Sequence, residues 1–472
     1  MFYSYKKTIS LFILVALTQL SFAAAPGTNI KIKIKGVKDT FCLLANHFGD
    51  KQYIQDTLKV DASGKMSITK KDGKYDGGIY LVVVPNKKYF EFIMDETQNF
   101  TIETDTADLV GKMVIKGSNE NMLFYDYLNF INQKQKEVEP LKKELDKHKA
   151  NKDSATALQA QINEIDKQVS DYKKNFNEKN PNTFAGKLLK AMTDPKIPET
   201  PILSNGRKDS TFAYRYYKAH FFDNIDFTDD RLVRSPVYHG KLKQYFETMV
   251  LQHPDSINKE ADFLLEKTKN SKELFKYTAH YITYTYEISK IMGMDAVFVH
   301  MVEKVYQPGL AYWVDSTSRA KMVTRAITLK PLLIGKRTPN LILADTNMKL
   351  INLSDVKAKY TVLIFWDYDC GHCQKEVPKL AEFYNKVKDK GVEVYSVSTE
   401  YDAEKWKKFI REHKLNWINV WDPYHQTNFK ATYDITSTPQ IYILNDKKEI
   451  IAKKINAEQA ETMITNYLKP KP

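Results

Sequence analysis

Thr361-Val362-Leu363-Ile364-Phe365-Trp366, with the Asp367-Tyr368-Asp369-Cys370-Gly371-His372-Cys373 that follows, is the stretch on which the fold of the last third of the chain turns. The first six residues read as a continuous apolar strand. A loop, Asp367 to Cys370, then leads into an amphipathic helix, so Cys370 falls at or beside a helix N-terminus. Unpaired backbone N–H groups and the positive end of the helix dipole converge there. The thiolate is the reactive form of cysteine, and such surroundings lower a thiol pKa from its ordinary value of about 8.5. Cys370 is therefore predicted to be nucleophilic near neutral pH. Two intervening residues set Cys373 one turn along, facing inward and within disulfide reach. The pair predicts thiol–disulfide exchange. Cys370 attacks a disulfide of another protein and Cys373 then displaces that protein, or the same steps run in reverse.

Outward from this stretch, Leu341-Ile342-Leu343, Tyr360 to Trp366, Val392 to Val397 and Gln440 to Leu444 read as strands. Helical patterns separate them at Pro378 to Val387 and Ala403 to His413. That alternation predicts an α/β layer with a mostly parallel sheet. Pro378 follows Cys373 inside the helix, where it should cause a bend. Thr438-Pro439 directly precedes the strand at Gln440. A cis proline there would bring the Thr438 backbone close to the two sulfurs, with its N–H and C=O free to pair with an extended partner segment. Trp366, with Phe365, is expected to offer an apolar wall beside the pair. Trp366, His372, Thr438 and Pro439 are the expected substrate contacts.

The texture before Pro331 is different. Residues 26–117 read as a small antiparallel β domain, a sandwich. Ile30, Ile32 and Ile34 alternate with lysines, Asp61-Ala62-Ser63-Gly64 reads as a turn, and Tyr80 to Val84, Phe90, Phe92, Phe100 and Ile102 continue the strand style. Residues 118–330 read as an all-α region. Leu158, Ile162, Ile165, Val169, Tyr172 and Phe176 alternate in steps of four and three, a seam that predicts a helical hairpin. Its partner is the helix through Leu141 and Leu145, with the turn near Asn151. Residues 331–472 are the α/β unit.

A chain of 472 residues is too long for one ordinary domain. With 43% apolar and 27% charged residues it reads as globular. The net charge of +13, from 71 basic and 58 acidic residues, is spread along the chain without an Arg-rich stripe. That predicts a solvated lysine-rich surface and no nucleic-acid partner. Residues 1–25 have the three parts of a secretion signal: Lys6-Lys7, the apolar run Ile9 to Leu20, and small residues that suit cleavage near Ala23 or Ala25. The run is short for a membrane span, so a periplasmic protein without stable membrane insertion is expected. Cys42, Cys370 and Cys373 are the three cysteines. They suggest a reactive pair and a buried inert thiol, not a disulfide framework. Structural zinc would need four ligands, which Cys42 and His372 do not complete, so no metal is expected.

Gly335-Lys336-Arg337-Thr338-Pro339, Phe365-Trp366 with Cys370-x-x-Cys373, Glu376-Val377-Pro378, and Tyr433-Asp434-Ile435 ahead of Thr438-Pro439 together resemble the TlpA/ResA-like branch of the thioredoxin superfamily. The resemblance covers about residues 334–472. The order of β domain, helical region and α/β unit looks like exported thiol-disulfide oxidoreductases of the Bacteroidetes type. It implies a thioredoxin fold and protein substrates bearing disulfides or thiols; a reductant would in addition need an electron source outside the cytoplasm, such as a membrane protein that relays reducing equivalents. No cofactor beyond the redox-active Cys370–Cys373 disulfide is implied. It also implies that Glu376 is a buried acid with a raised pKa that handles the proton of the resolving thiol. One departure is Asp369, where the family usually carries Trp or another uncharged residue. Asp369 and Asp367 oppose a thiolate and favour a reductant, whereas an imidazolium at His372 pulls the other way. Reduction is the reading adopted. The peroxiredoxin setting Pro-x-x-x-Thr-x-x-Cys is absent, since Trp366 and Asp367 occupy the leading positions. The alternative is a binding or scaffold protein whose N-terminal domains hold a partner and whose redox domain is secondary.

Overall fold

The computed structural model describes residues 27–70, 73–148 and 152–469. The predicted secretion signal, residues 1–25, and the predicted hairpin turn at Asn151 lie outside the described residues. The chain divides into two compact units, one through Lys190 and one from Ala191. The unit boundary therefore falls inside the helical region, away from the changes of periodicity near residues 118 and 331.

The first unit holds β1 (Thr28–Lys35), β2 (Thr40–Phe48), β3 (Lys51–Val60), β4 (Lys65–Lys70), β5 (Gly78–Val83), β6 (Tyr89–Met94), β7 (Asn99–Asp105) and β8 (Val114–Lys116). Among the described residues they form two four-stranded sheets, ordered β4-β1-β7-β8 and β3-β2-β5-β6. Ile30, Ile32 and Ile34 alternate buried with exposed lysines along β1 and share a core with Leu44, Val82 and Phe92 of the other sheet, which makes a sandwich. One pair departs from the antiparallel expectation, because β1 and β7 run parallel. The chain crosses to the other sheet for β2 and β3, returns antiparallel at β4, crosses again for β5 and β6, and comes back at β7 in the direction of β1, so a long connection separates the parallel pair.

Helices α1 (Asn119–Lys147) and α2 (Lys152–Lys179) form the hairpin, and α3 (Phe184–Ala191) follows. Ile162 and Phe176 of the seam are buried, and Tyr172 stacks on Phe130 of α1 at 4.0 Å between ring centroids. Asn121 docks α1 on the edge of β6. Its side-chain oxygen accepts from Ile93 N at 2.7 Å and its Nδ2 donates to Ile93 O at 2.7 Å, completing an otherwise unpaired strand edge.

In the second unit, α4 (Phe212–His220), α5 (Pro236–Gln244), α6 (Pro254–Thr268), α7 (Lys272–Glu287), α8 (Asp295–Met301) and α9 (Ser316–Leu329) precede the α/β layer. That layer runs β9 (Ile342–Asp345), β10 (Leu350–Asn352), β11 (Tyr360–Trp366), α10 (Cys373–Val387), β12 (Val392–Ser398), α11 (Ala403–Glu412), β13 (Ile418–Trp421), α12 (Phe429–Thr432), β14 (Gln440–Asn445), β15 (Ile450–Lys453) and α13 (Ala457–Leu468). The sheet order is β10-β9-β13-β12-β11-β14-β15, a thioredoxin-like arrangement with β11 near its centre. It is mixed and not mostly parallel. Only β11–β12 and β12–β13 are parallel, because only they are joined by crossover helices, α10 and α11. The β9–β10 and β14–β15 hairpins and their pairings with β13 and β11 are antiparallel.

Lys453 ties this layer to the preceding helices. Its side chain is 2% exposed, pairs with the Asp295 carboxylate of α8, and donates to the Leu332 carbonyl at 2.6 Å. Burial pushes the Lys453 pKa down, more than Asp295 pulls it up. Removing one partner of a buried pair leaves an uncompensated charge, whereas an apolar replacement of both can be neutral. Asp295→Asn is therefore expected to cost about 3–5 kcal/mol in urea denaturation. Asp295→Leu with Lys453→Met should recover most of it. A single variant no less stable than the double would contradict this account.

Candidate active site

Every residue of β11 from Thr361 to Trp366 is buried, because the strand has a neighbour on each edge and a covered face on each side. Successive side chains point to opposite faces. Phe365 packs on one face against Phe429 and Tyr433. Trp366 lies on the other, 0% exposed, with its ring 4.9 Å from Phe409 and Nε1 donating to Ser396 Oγ at 2.6 Å. Neither can serve as a wall for a visiting protein. The expectation of a substrate-contacting Trp366 is thus corrected: the residue is core, held by its neighbours in a closed central strand.

The end of β11 is fixed by Thr399 N, which donates to Trp366 O at 2.8 Å. Beyond it the chain turns through Asp367 to Gly371, and α10 begins. Cys370 O accepts from Gln374 N at 3.0 Å, so the Cys370 backbone already belongs to the first turn. Thr438–Pro439 is a cis peptide bond. β14 pairs Gln440 with Phe365, and the same antiparallel register continued by two residues sets Thr438 beside Asp367. Cys370 Sγ lies 3.4 Å from Thr438 O. Cys370 is partly exposed, whereas Cys373 is fully buried and its Sγ receives Asp367 N at 3.5 Å.

The two sulfurs are driven apart in acidity. Burial opposes ionisation of Cys370, but the Thr438 hydroxyl, the Cys373 N–H and thiol, and the His372 N–H together hold its pKa below the ordinary thiol value. Cys373 goes the other way: burial, helped by the neighbouring Cys370, pushes it up to about 12. Cys42, fully buried in the β sandwich, is pushed up to about 11 by burial alone.

Glu376 departs from its expected role. Burial raises its pKa, but Ala457 N, which donates to Oε2 at 2.8 Å, Lys379, at 3.0 Å from Oε1, and the His372 charge outweigh it. The carboxyl is held below the usual range, not above it. The reason is position, since Ala457 is the first residue of α13 and its N–H needs an acceptor. The exposed His372 ends up at the N-cap of α10, with its ring charge acting on Glu376. Asp369 is exposed and pairs with Lys405 Nζ at 2.9 Å, while Asp367 Oδ1 accepts from Asp369 N at 2.7 Å. Lys405 lies beyond the residues that sequence reasoning singled out. Its signal was Asp402, an N-cap residue whose side chain accepts from Glu404 N and Lys405 N and so starts α11 beside the loop.

A thioredoxin sheet that presents a Cys-x-x-Cys helix start against a cis-proline loop defines a thiol-disulfide oxidoreductase. Residues 334–453 match the AhpC/TSA family, and residues 148–329 match a domain of unknown function (DUF5106). The chain is 33% identical over 135 residues to a thiol-disulfide oxidoreductase ResA of Bacillus cereus, covering 29% of this chain and 76% of that protein. It is 32% identical over 134 residues to ResA of Bacillus subtilis, covering 28% and 73%. A solved domain of a possible thiol-disulfide isomerase from Cytophaga hutchinsonii is 48% identical, with a TM-score of 0.28, covering 29% of this chain and 94% of that one. Through its C-terminal domain the chain belongs to the TlpA/ResA-like thiol-disulfide oxidoreductases.

Alkylation of the reduced protein should separate the three thiols. Cys370 is expected to react with a midpoint below that of an ordinary thiol, while Cys373 and Cys42 stay unmodified at neutral pH, as read by peptide mass spectrometry. Preferential labelling of Cys373 would refute the assignment. Glu376→Gln tests the cap. A carboxylate with a depressed folded pKa stabilises above its unfolded value and loses that contribution as pH falls through the folded one. The variant should therefore be about 1 kcal/mol less stable at neutral pH, with the gap closing as pH falls below 4.5. A pH-independent gap would count against it.

Proposed function

We propose that the protein is exported to the periplasm and reduces disulfides of partner proteins, with Cys370 as nucleophile and Cys373 as resolving thiol. The observation that carries this reading is the pairing of a partly exposed Cys370 sulfur, 3.4 Å from the Thr438 carbonyl, with a fully buried Cys373. The Cys370 thiolate attacks one sulfur of the partner disulfide. That S–S bond breaks, a mixed disulfide forms, and the departing partner sulfur takes up a proton. Cys373 then gives up its proton and attacks Cys370 Sγ. The Cys370–Cys373 disulfide closes, the second partner thiol leaves, and two electrons and two protons have passed to the partner. Thr438 presents backbone to an extended partner segment, which pairs like an added strand.

The resolving step is timed by the pair itself. Burial is the main cause of the high Cys373 pKa, but the neighbouring Cys370 adds to it. Once Cys370 is tied up in the mixed disulfide its charge is gone, and Cys373 ionises more easily at the moment it must act.

Reduction is favoured because the strongest influences that lower the Cys370 pKa are neutral hydrogen-bond donors. The His372 charge bears on Glu376. With hydrogen-bond donors as its main support, the thiolate gains less than beside a dedicated cation, the disulfide is relatively favoured, and the dithiol gives up electrons more readily. No cofactor beyond the cysteine pair is required. A membrane protein that relays reducing equivalents would regenerate the dithiol.

Two measurements test this. Cys373→Ala should accumulate mixed disulfides with periplasmic proteins, and Cys370→Ala should accumulate none. Equal trapping by both variants would reject the assignment. The redox potential of the pair should fall below about −220 mV, toward thioredoxin, and a value at or above about −180 mV would reverse the direction.

A further inference from the structure

An open groove of about 880 Å³ runs between α9 and the turn that leads from α12 toward the cis proline. Ala320, Lys321 and Thr324 line one wall, and Ala431, Ile435 and Thr436 the other. The α9 residues are three and four apart and so share one helical face. Ala320, Ala431, Ile435 and the threonine methyls give the groove its apolar floor, while Lys321, Arg325, Lys430 and Asp434 border it. Thr436 stands two residues before Thr438, so the groove opens within about 7 Å of the backbone that touches Cys370.

Both walls are held in place. Tyr433 is fully buried, its hydroxyl receiving Thr338 Oγ1 at 3.0 Å and donating to the Pro339 carbonyl. Ile435 N donates to Lys430 O at 2.8 Å. Arg325 of α9 pairs with Glu287 and reaches Asp434 across the groove at 4.0 Å. The rim is cationic, because Lys321 is exposed and makes no ion pair among the described residues, and Lys430 has only Glu400, at 3.7 Å.

We propose that this groove is the partner-recognition site of the exchange reaction. It takes an extended segment of the disulfide-bearing protein, continuous with the strand pairing at Thr438, and favours an apolar side chain flanked by acidic residues. The proposal rests on the exchange reading above. A segment leaving Thr438 toward Thr436 runs into the groove. The α9 face from Ser316 to Thr328 is about 18 Å long, which matches five or six extended residues. Preformed walls keep the ordering cost of binding low. The chemistry at Cys370 is indifferent to the partner's sequence, so selectivity has to come from such a neighbouring surface.

The test uses reduced full-length protein and synthetic peptides, each with one cysteine activated as a thionitrobenzoate mixed disulfide. A short peptide ends close to the cysteine. Long ones add about six residues on each side, with a leucine flanked by glutamates or by lysines. The second-order rate constant for thionitrobenzoate release should be about tenfold higher for the glutamate peptide than for the short one. Ala320→Trp, which fills the groove, should abolish that preference and leave the short-peptide rate unchanged. Thr324→Arg serves as a second block should the first variant fold poorly. Lys321→Glu should shift preference to the lysine peptide. Equal rates for long and short peptides, or a preference that survives both blocking variants, would overturn the groove assignment. Failure of even the short peptide to react would overturn the exchange reading itself.

Discussion

The depth difference between two sulfurs three residues apart is the constraint on which the site depends. It arises because β11 cannot shift. The strand is hydrogen-bonded to β12 on one edge and β14 on the other, with Trp366 and Phe365 locked into opposite cores. A strand fixed in this way delivers the start of α10 to one place. The first turn of that helix then leaves Cys370 at the lip and carries Cys373 under the sheet. A buried thiolate is costly, so Cys373 stays protonated while its neighbour ionises. The order of events in the proposed exchange is thus a consequence of packing.

The same packing explains why the helical region matters to the redox unit. In the second unit, α8 is joined to β15 through Asp295 and Lys453. Arg325 of α9 stands between Glu287 and Asp434, and Asp434 belongs to the turn that leads to Thr438. The loop that faces Cys370 is therefore braced by a helix outside the thioredoxin fold. A bare thioredoxin domain would lack that wall.

Much of this was legible in the sequence, for identifiable reasons. The alternation of Ile30, Ile32 and Ile34 with lysines, the seam from Leu158 to Phe176 and the apolar run into Trp366 each span enough periods to fix an element and its buried face. β10, β13 and β15 were missed because three or four residues carry no measurable period. α13 went unread although Asn456 and Gln459 form a capping box ahead of it. Sheet polarity was misjudged because alternation of strand and helix does not reveal which strands pair as hairpins. At the site, spacing alone indicated how Cys370 and Cys373 would sit. Trp366 was misread because an aromatic beside a reactive pair looks the same in sequence whether it faces the partner or the core.

Glu376 shows how the two levels of description meet. Its spacing from Cys373 puts it on the same side of α10, and the family resemblance implied that it handles the proton of the resolving thiol. The deciding factor lies elsewhere in the chain, at the first N–H of α13. Asn456 and Gln459 bond each other's backbone N–H groups there, which leaves Ala457 N to be satisfied by an outside acceptor. Glu376 supplies it, and the helix terminus in turn stabilises the ionised carboxylate. A group held ionised in this way is a poor proton store near neutral pH. In the proposed exchange this leaves the proton of Cys373 to the open side of the pair, where Cys370 is partly exposed.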